Sequence, residues 1–273
     1  HLDIEHQDPG PKVSQDLNKL LEQQKFEDAI KICLSLTETY PSSAVLNITL
    51  GKCYFELGQI DPAIESHQKT IEINPKCAEA YFYIGMLLKA KGEPEAAIEN
   101  YQKVIEIDPN SAAAYNNMGV VLRDTGNPDS AIKNLKQALV FDPYCAETYN
   151  NLGNSLSDQG NNEAAIANYQ QAIKIKPNYA DAFANLGFSQ RDSGDLHAAI
   201  KSYEKALDLN PNYIVSHFNM AMALKDQGDQ DGAIESYKRA MHIDPNCAEI
   251  YNNLGNIYKD AGNLDTATQH YQT

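Results

Sequence analysis

Small, apolar and turn-forming residues return along this chain at a fixed interval of 34. Prolines stand at 41, 75, 109, 143, 177, 211 and 245, and glycines at 58, 92, 126, 160, 194, 228 and 262. Alanines stand at 63, 97, 131, 165, 199, 233 and 267, with Ala29 one period earlier. A fourth series reads Gly51, Gly85, Gly119, Gly153, Gly187, Ala221, Gly255. Four series with one period identify stacked copies of a single supersecondary unit. Within a period the apolar spacing is helical. In residues 112–145, Tyr115, Met118, Gly119 and Leu122 fall on one face of a first helix, and Ala131, Leu135, Ala138 and Leu139 on one face of a second.

Punctuation fixes the ends of that pair. Ser111 can cap a first helix from about Ala112 to Thr125, and Gly126 supplies the left-handed residue that ends it. Asn127 caps the second helix, Pro128 fits its first turn, and Asp129 favours the positive end of the helix dipole. That helix runs to about Phe141 and stops before Pro143. Gly119 opposite Ala131 predicts a close approach of the two backbones.

Units fall at 10–43, 44–77, 78–111, 112–145, 146–179, 180–213 and 214–247, with a partial one at 248–273. The first is divergent: Leu17 stands where glycine recurs, although Ala29, Leu36 and Pro41 keep the pattern. Residues 1–9 read as a linker or cloning remnant. The chain stops at Thr273 inside the second helix of its last unit, without a polar capping helix, which predicts a piece of a longer protein.

Tyr149, Leu152, Gly153, Leu156, Ala165, Tyr169, Ala172 and Pro177 in one unit, and Phe183, Leu186, Gly187, Gln190, Ala199, Tyr203, Ala206 and Pro211 in the next, resemble the tetratricopeptide-repeat signature. Its tryptophan is absent; Tyr81, Tyr115, Tyr149, Phe183 and Tyr251 stand in its place, with Asn47 and His217 as the weak matches. The resemblance implies an all-α solenoid of helix-turn-helix units coiled into a right-handed superhelix. It also implies a concave surface lined by the first helix of each unit, and binding of another protein or peptide there.

One position of the first helix, two residues before the glycine series, reads Thr49, Tyr83, Asn117, Asn151, Asn185, Asn219, Asn253. Asparagine costs a helix up to about 0.7 kcal/mol against alanine, so five in succession need a reason. They are either polar residues bonding within their own unit, or a ladder of amides matched to the backbone of an extended peptide. Asn154 and Asn256 follow three residues after two rungs, and Asn116, Asn150 and Asn252 precede rungs by one. The ladder, with the phrases YNNMGVVLRDTGN and YNNLGNIYKDAGN, resembles the superhelical arm of O-linked N-acetylglucosamine transferases, which implies a substrate-recruiting arm as an alternative to a free-standing scaffold. Self-association through outer or terminal surfaces is a third reading. The carboxylate clamp of chaperone-binding relatives is excluded, because Asn150, Asn154, Asn185, Asp181 and Asn219 occupy the matching places without the required cations.

A second stripe, Lys89, Arg123, Arg191, Lys225 and Lys259, lies near the ends of the first helices, where the dipole favours cations. Asp124, Asp192, Asp226 and Asp260 follow four of them against the dipole. They serve either as acceptors for turn amides or as holders of a ligand's cation. The peptide-binding candidates are therefore Asn117, Asn151, Asn185, Asn219, Asn253, Asn154, Asn256, Arg123, Arg191, Lys225 and Lys259.

Net charge sharpens the partner class. At −15, with a pI near 4.8, the surface repels a phosphate backbone or an anionic bilayer and favours a neutral or basic partner, so no nucleic acid and no membrane is expected. Cys33, Cys53, Cys77, Cys145 and Cys247 include no CxxC, and the last three occupy equivalent, well-separated places, which predicts free thiols in a reducing, cytoplasmic setting. The seven histidines lack metal spacing, and no nucleophile, base and orienting group recur together. Neither catalysis, cofactor nor metal is expected. His67 and His217 read as substitutes for packing aromatics.

Overall fold

The computed structural model describes residues 8–272; the expected linker at 1–9 lies mostly outside these residues. Sixteen α-helices and no strand occur among the described residues. They fall in pairs: α1 (Pro11–Glu22) with α2 (Phe26–Thr37), α3 (Ala44–Glu56) with α4 (Ile60–Ile73), α5 (Ala78–Lys91) with α6 (Pro94–Ile107), and α7 (Ala112–Asp124) with α8 (Pro128–Phe141). Then follow α9 (Ala146–Asp158) with α10 (Asn162–Ile175), α11 (Ala180–Asp192) with α12 (Leu196–Leu209), α13 (Ile214–Gln227) with α14 (Gln230–Ile243), and α15 (Ala248–Asp260) with α16 (Leu264–Tyr271). The chain divides into two compact units, His1–Phe141 and Asp142–Thr273, so α1–α8 belong to the first and α9–α16 to the second.

Local chemistry explains the helix ends. Every second helix from α4 onward is preceded by a glycine with φ between 68° and 93°, from Gly58 to Gly262. In the divergent first pair Gln24 holds that place at φ 56°, an L-residue forced into glycine's conformation. Side chains of Asn161, Asp195, Asp229 and Asn263 accept from the amides of Ala164, Ala198, Gly232 and Thr266 and cap their helices. Asn127 instead donates to Thr125 O at 3.3 Å. Between units, the side chains of Asn74, Asp108, Asp142, Asn210 and Asp244 accept from the amide two residues on, around the repeated proline.

In five of the pairs the core is a ring laid over a glycine: Gly51, Gly85, Gly153, Gly187 and Gly255 lie under His67, Tyr101, Tyr169, Tyr203 and Tyr271. A Cβ on Gly153 would lie 2.5 Å from Tyr169, and one on Gly187 would lie 2.8 Å from Tyr203. At Gly119 the obstacle is Leu135 at 2.7 Å, with Ala131 O at 3.2 Å. The close approach expected between Gly119 and Ala131 is thus governed chiefly by the bulky residue one turn beyond the alanine. Tyr101, Tyr169, Tyr203 and Tyr237 are buried in this way, and His67 takes the same place in α4. Inserting a methyl group here would drive the pair apart, since packed interiors have no slack.

Within each unit, successive first helices pack together: α1 on α3, α3 on α5, α5 on α7, and likewise α9 on α11 and α11 on α13. No successive second helices pack comparably among the described residues. First helices therefore crowd one side of each unit and second helices splay on the other.

Candidate peptide-binding face

The ladder position lies on the crowded side, on first helices. All five rung asparagines are half-buried. Asn117 and Asn253 each donate one amide N–H to their own helix, to Ala113 O and Glu249 O, both at 2.9 Å. Asn185 donates instead to Asn150 Oδ1 of the preceding repeat at 3.0 Å, tying two repeats together. Asn151 has an interaction of its own. Asn219 makes no side-chain bond among the described residues. An asparagine amide carries two N–H donors and a carbonyl acceptor. After these bonds Asn117, Asn185 and Asn253 each retain one N–H and the carbonyl oxygen, the complement of one peptide unit.

The ladder changes character in the first unit. The Tyr83 ring lies flat on His67, with centroids 5.0 Å apart and planes 8° from parallel, and meets Phe55 and Phe82 edge-on. Tyr83 is a packing aromatic at a ladder address. Burial holds His67 neutral, with its pKa pushed down to about 4, and both its ring nitrogens lack a partner.

Asn154 and Asn256 have a different role from the rungs. Each accepts a tyrosine hydroxyl from its own second helix, Tyr169 and Tyr271 respectively, at 2.8 Å. Their oxygens serve the fold. The corresponding hydroxyls of Tyr101, Tyr203 and Tyr237 are buried without partners, and the residues 15 positions before them are Met86, Phe188 and Met222. Reading the sequence at that offset would have found the pairing. Asn116 and Asn150 are buried, whereas Asn252 is exposed.

The cation stripe is largely engaged by the chain itself. Arg123 pairs with Asp124 at 2.9 Å, and Lys89 of the preceding repeat reaches the same carboxylate at 3.8 Å. Arg191 pairs with Asp192 at 3.5 Å, lies 5.6 Å from the Phe188 ring centroid, and donates to Met222 Sδ at 3.3 Å. Asp124 and Asp192 thus answer the neighbouring cations, a role outside both alternatives drawn from sequence. Lys225 is half-buried and Lys259 exposed. All five cysteines are free thiols, and burial pushes Cys33 up to about 12 and Cys53 to about 11, which leaves both unreactive. Among the described residues no cluster could hold a metal ion, and no helix is long and apolar enough to cross a membrane.

Models of the tetratricopeptide repeat match 51–92, 87–126, 153–191 and 222–262, and further such models match 112–145, 180–213 and 202–235. The anaphase-promoting complex subunit 3 of Dictyostelium discoideum is 35% identical over 57 residues, 21% of this chain and 6% of that protein. A chain of the APC/C hetero-tetramer Cut9–Hcn1 superposes with a TM-score of 0.75 at 21% identity, covering 91% of this chain and 49% of that one. MamA superposes with a TM-score of 0.55 at 32% identity, covering 61% of this chain and 97% of MamA. The chain therefore spans about half of the Cut9–Hcn1 chain it resembles and a small fraction of the Dictyostelium protein.

Proposed function

From the premise that the chain belongs to the tetratricopeptide-repeat family, we propose that it is a non-catalytic scaffold in which the first helices of a unit grip an extended polypeptide by their asparagine rungs. The observation that carries this reading is the spare bonding capacity of the rungs. Three of them use one N–H on the protein and keep one donor and one acceptor each. Spaced one per repeat, they suit a main chain and ignore side chains. The protein partners of the Cut9–Hcn1 assembly point the same way. Arg123, Arg191, Lys225 and Lys259 lie nearby on the same first helices, and Asn154 and Asn256 tie two of those helices to their partners through Tyr169 and Tyr271. The acidic surface favours a neutral or basic segment.

Each rung bond contributes about 0.5–1.5 kcal/mol net, offset in part by ordering the ligand, so micromolar affinity is expected. The test is a peptide selected by display on the wild-type chain, titrated against the triple variant Asn151→Ala, Asn185→Ala, Asn219→Ala. Affinity should fall tenfold or more while helicity holds. Unchanged affinity with a lower melting temperature would make the rungs structural.

The ladder together with the phrases YNNMGVVLRDTGN and YNNLGNIYKDAGN also supports a second reading, a substrate-recruiting arm for a transferase domain elsewhere in a longer protein. On that reading crosslinked partners would be acceptor substrates, and this chain alone would neither bind nor turn over a nucleotide sugar.

A further inference from the structure

Five repeats place Tyr81, Tyr115, Tyr149, Phe183 or Tyr251 at the signature aromatic position, and two place Asn47 or His217 there. The five rings are half-buried, and Tyr251 donates its hydroxyl to Pro245 O at 3.0 Å. Asn47 and His217 are each only 5% exposed. Asn47 turns down to Ser43 O at 2.8 Å, and His217 Nε2 donates to Pro211 O at 2.9 Å, the same carbonyl position Tyr251 uses. A short side chain anchored at depth leaves uncovered the space that a ring fills elsewhere.

A cleft opens at each place. The one at Asn47 holds about 390 Å³ and the one at His217 about 350 Å³, with a further hollow of about 430 Å³ between His217 and Pro211. The two are built alike. Leu50, Glu65, Ser66 and Lys69 line the first; Met220, Glu235, Ser236 and Arg239, each five periods later, line the second. Both carry an ion pair on one wall, Glu65–Lys69 at 2.8 Å and Glu235–Arg239 at 2.6 Å. The walls are second helices, α2 and α4 or α12 and α14, over a first helix as floor, so the clefts open away from the rungs.

We propose that each cleft receives an aromatic side chain, best a phenol, from a partner polypeptide, with basic residues beside the side chain that enters at His217. The ring chemistry is read from the chain itself, because the same position carries tyrosine in four other repeats and phenylalanine in a fifth, and one of those tyrosines bonds the equivalent proline carbonyl. Aromatic anchors in pockets are also where binding energy concentrates. The basic flank follows from charge: Glu204, Asp229 and Glu235 face Arg239 around the His217 cleft, on a chain of net charge −15.

The test maps amide shifts of the ¹⁵N-labelled chain on titration with p-cresol, then with acetyl-Lys-Tyr-Lys-amide and acetyl-Glu-Tyr-Glu-amide. Saturable shifts are expected at Leu50 and Ser66 and at Met220 and Ser236, with the lysine peptide at least threefold tighter than the glutamate one at the second set. His217→Tyr should erase the second set and spare the first, Asn47→Tyr the reverse, and the triple asparagine variant should leave both. Shifts elsewhere, shifts that do not saturate, or a second set surviving in His217→Tyr would overturn the proposal. If a tyrosine variant fails to fold, the wild-type shift map decides alone. Shifts at the same amides on concentrating the chain without ligand would make the occupant a second copy and overturn the partner assignment.

Discussion

Tyr169 donates its hydroxyl to Asn154 across 2.8 Å, from the second helix of a repeat back to the first, whereas Tyr237 buries its hydroxyl in the equivalent place with no partner. The two rings are otherwise alike: both are buried, each at the place where its series packs against the small-residue position of the first helix. A buried hydroxyl with a partner contributes about 1 kcal/mol, and one without it costs the fold.

Tyr169→Phe should therefore destabilise by about 1 kcal/mol, because it also strands the Asn154 oxygen, while Tyr237→Phe should be neutral or stabilising by a similar amount. Urea unfolding of the two variants checks this. Equal losses would mean that the hydroxyl pairing carries no weight.

His67 gives the first unit an acid-sensitive point. Its folded pKa is depressed from 6.5 to about 4, chiefly by burial, with Lys52 lowering and Glu79 raising it. Between those values the unfolded chain holds a proton that the folded ring refuses, so stability is present above about pH 6.5 and declines as pH falls toward 4. The full decline is about 3 kcal/mol by linkage. His67→Phe keeps the stack on Tyr83 and removes the titration. Hydrogen exchange in α4 should accelerate on acidification in wild type relative to this variant. Parallel profiles would show that His67 is not the responsible group.

Gln24 offers a gain. Its φ of 56° is one an L-side chain adopts at a cost of about 1–2 kcal/mol; glycine would relieve that cost, and its freer unfolded state would offset part of the gain. Gln24→Gly should stabilise the first helix pair by about 0.5–1 kcal/mol, read as slower exchange in α1 and α2. No change, or faster exchange, would count against a strained turn.

The repeating architecture was legible because each helix pair carries its own punctuation. Gly126 does take the left-handed conformation, Ser111 does cap α7, and Pro128 does open α8. Relations between repeats were not legible. Asp124 answers Lys89, 35 residues earlier, and Asn185 answers Asn150, also 35 earlier, and both pairings depend on how far one helix pair sits from the next. Tyr83 shows the same limit: the ladder pattern gave its address, but the ring beneath it, His67, decided its role. The clefts were only half legible: Asn47 and His217 stand out in the aromatic series, but the sequence does not say whether neighbours fill the space the ring leaves. They emerge only when Asn47 and His217 are compared with the rings of their series.

Because, among the described residues, the helices of each unit pack chiefly on neighbours one or two places along the chain, tension meets the pairs in series. A pulled unit would yield pair by pair, each releasing up to about 115 Å of extended chain from its 34 residues. Mechanically such a unit is a series of small, separate extensions, able to lengthen under load while the pairs that remain folded keep their shape.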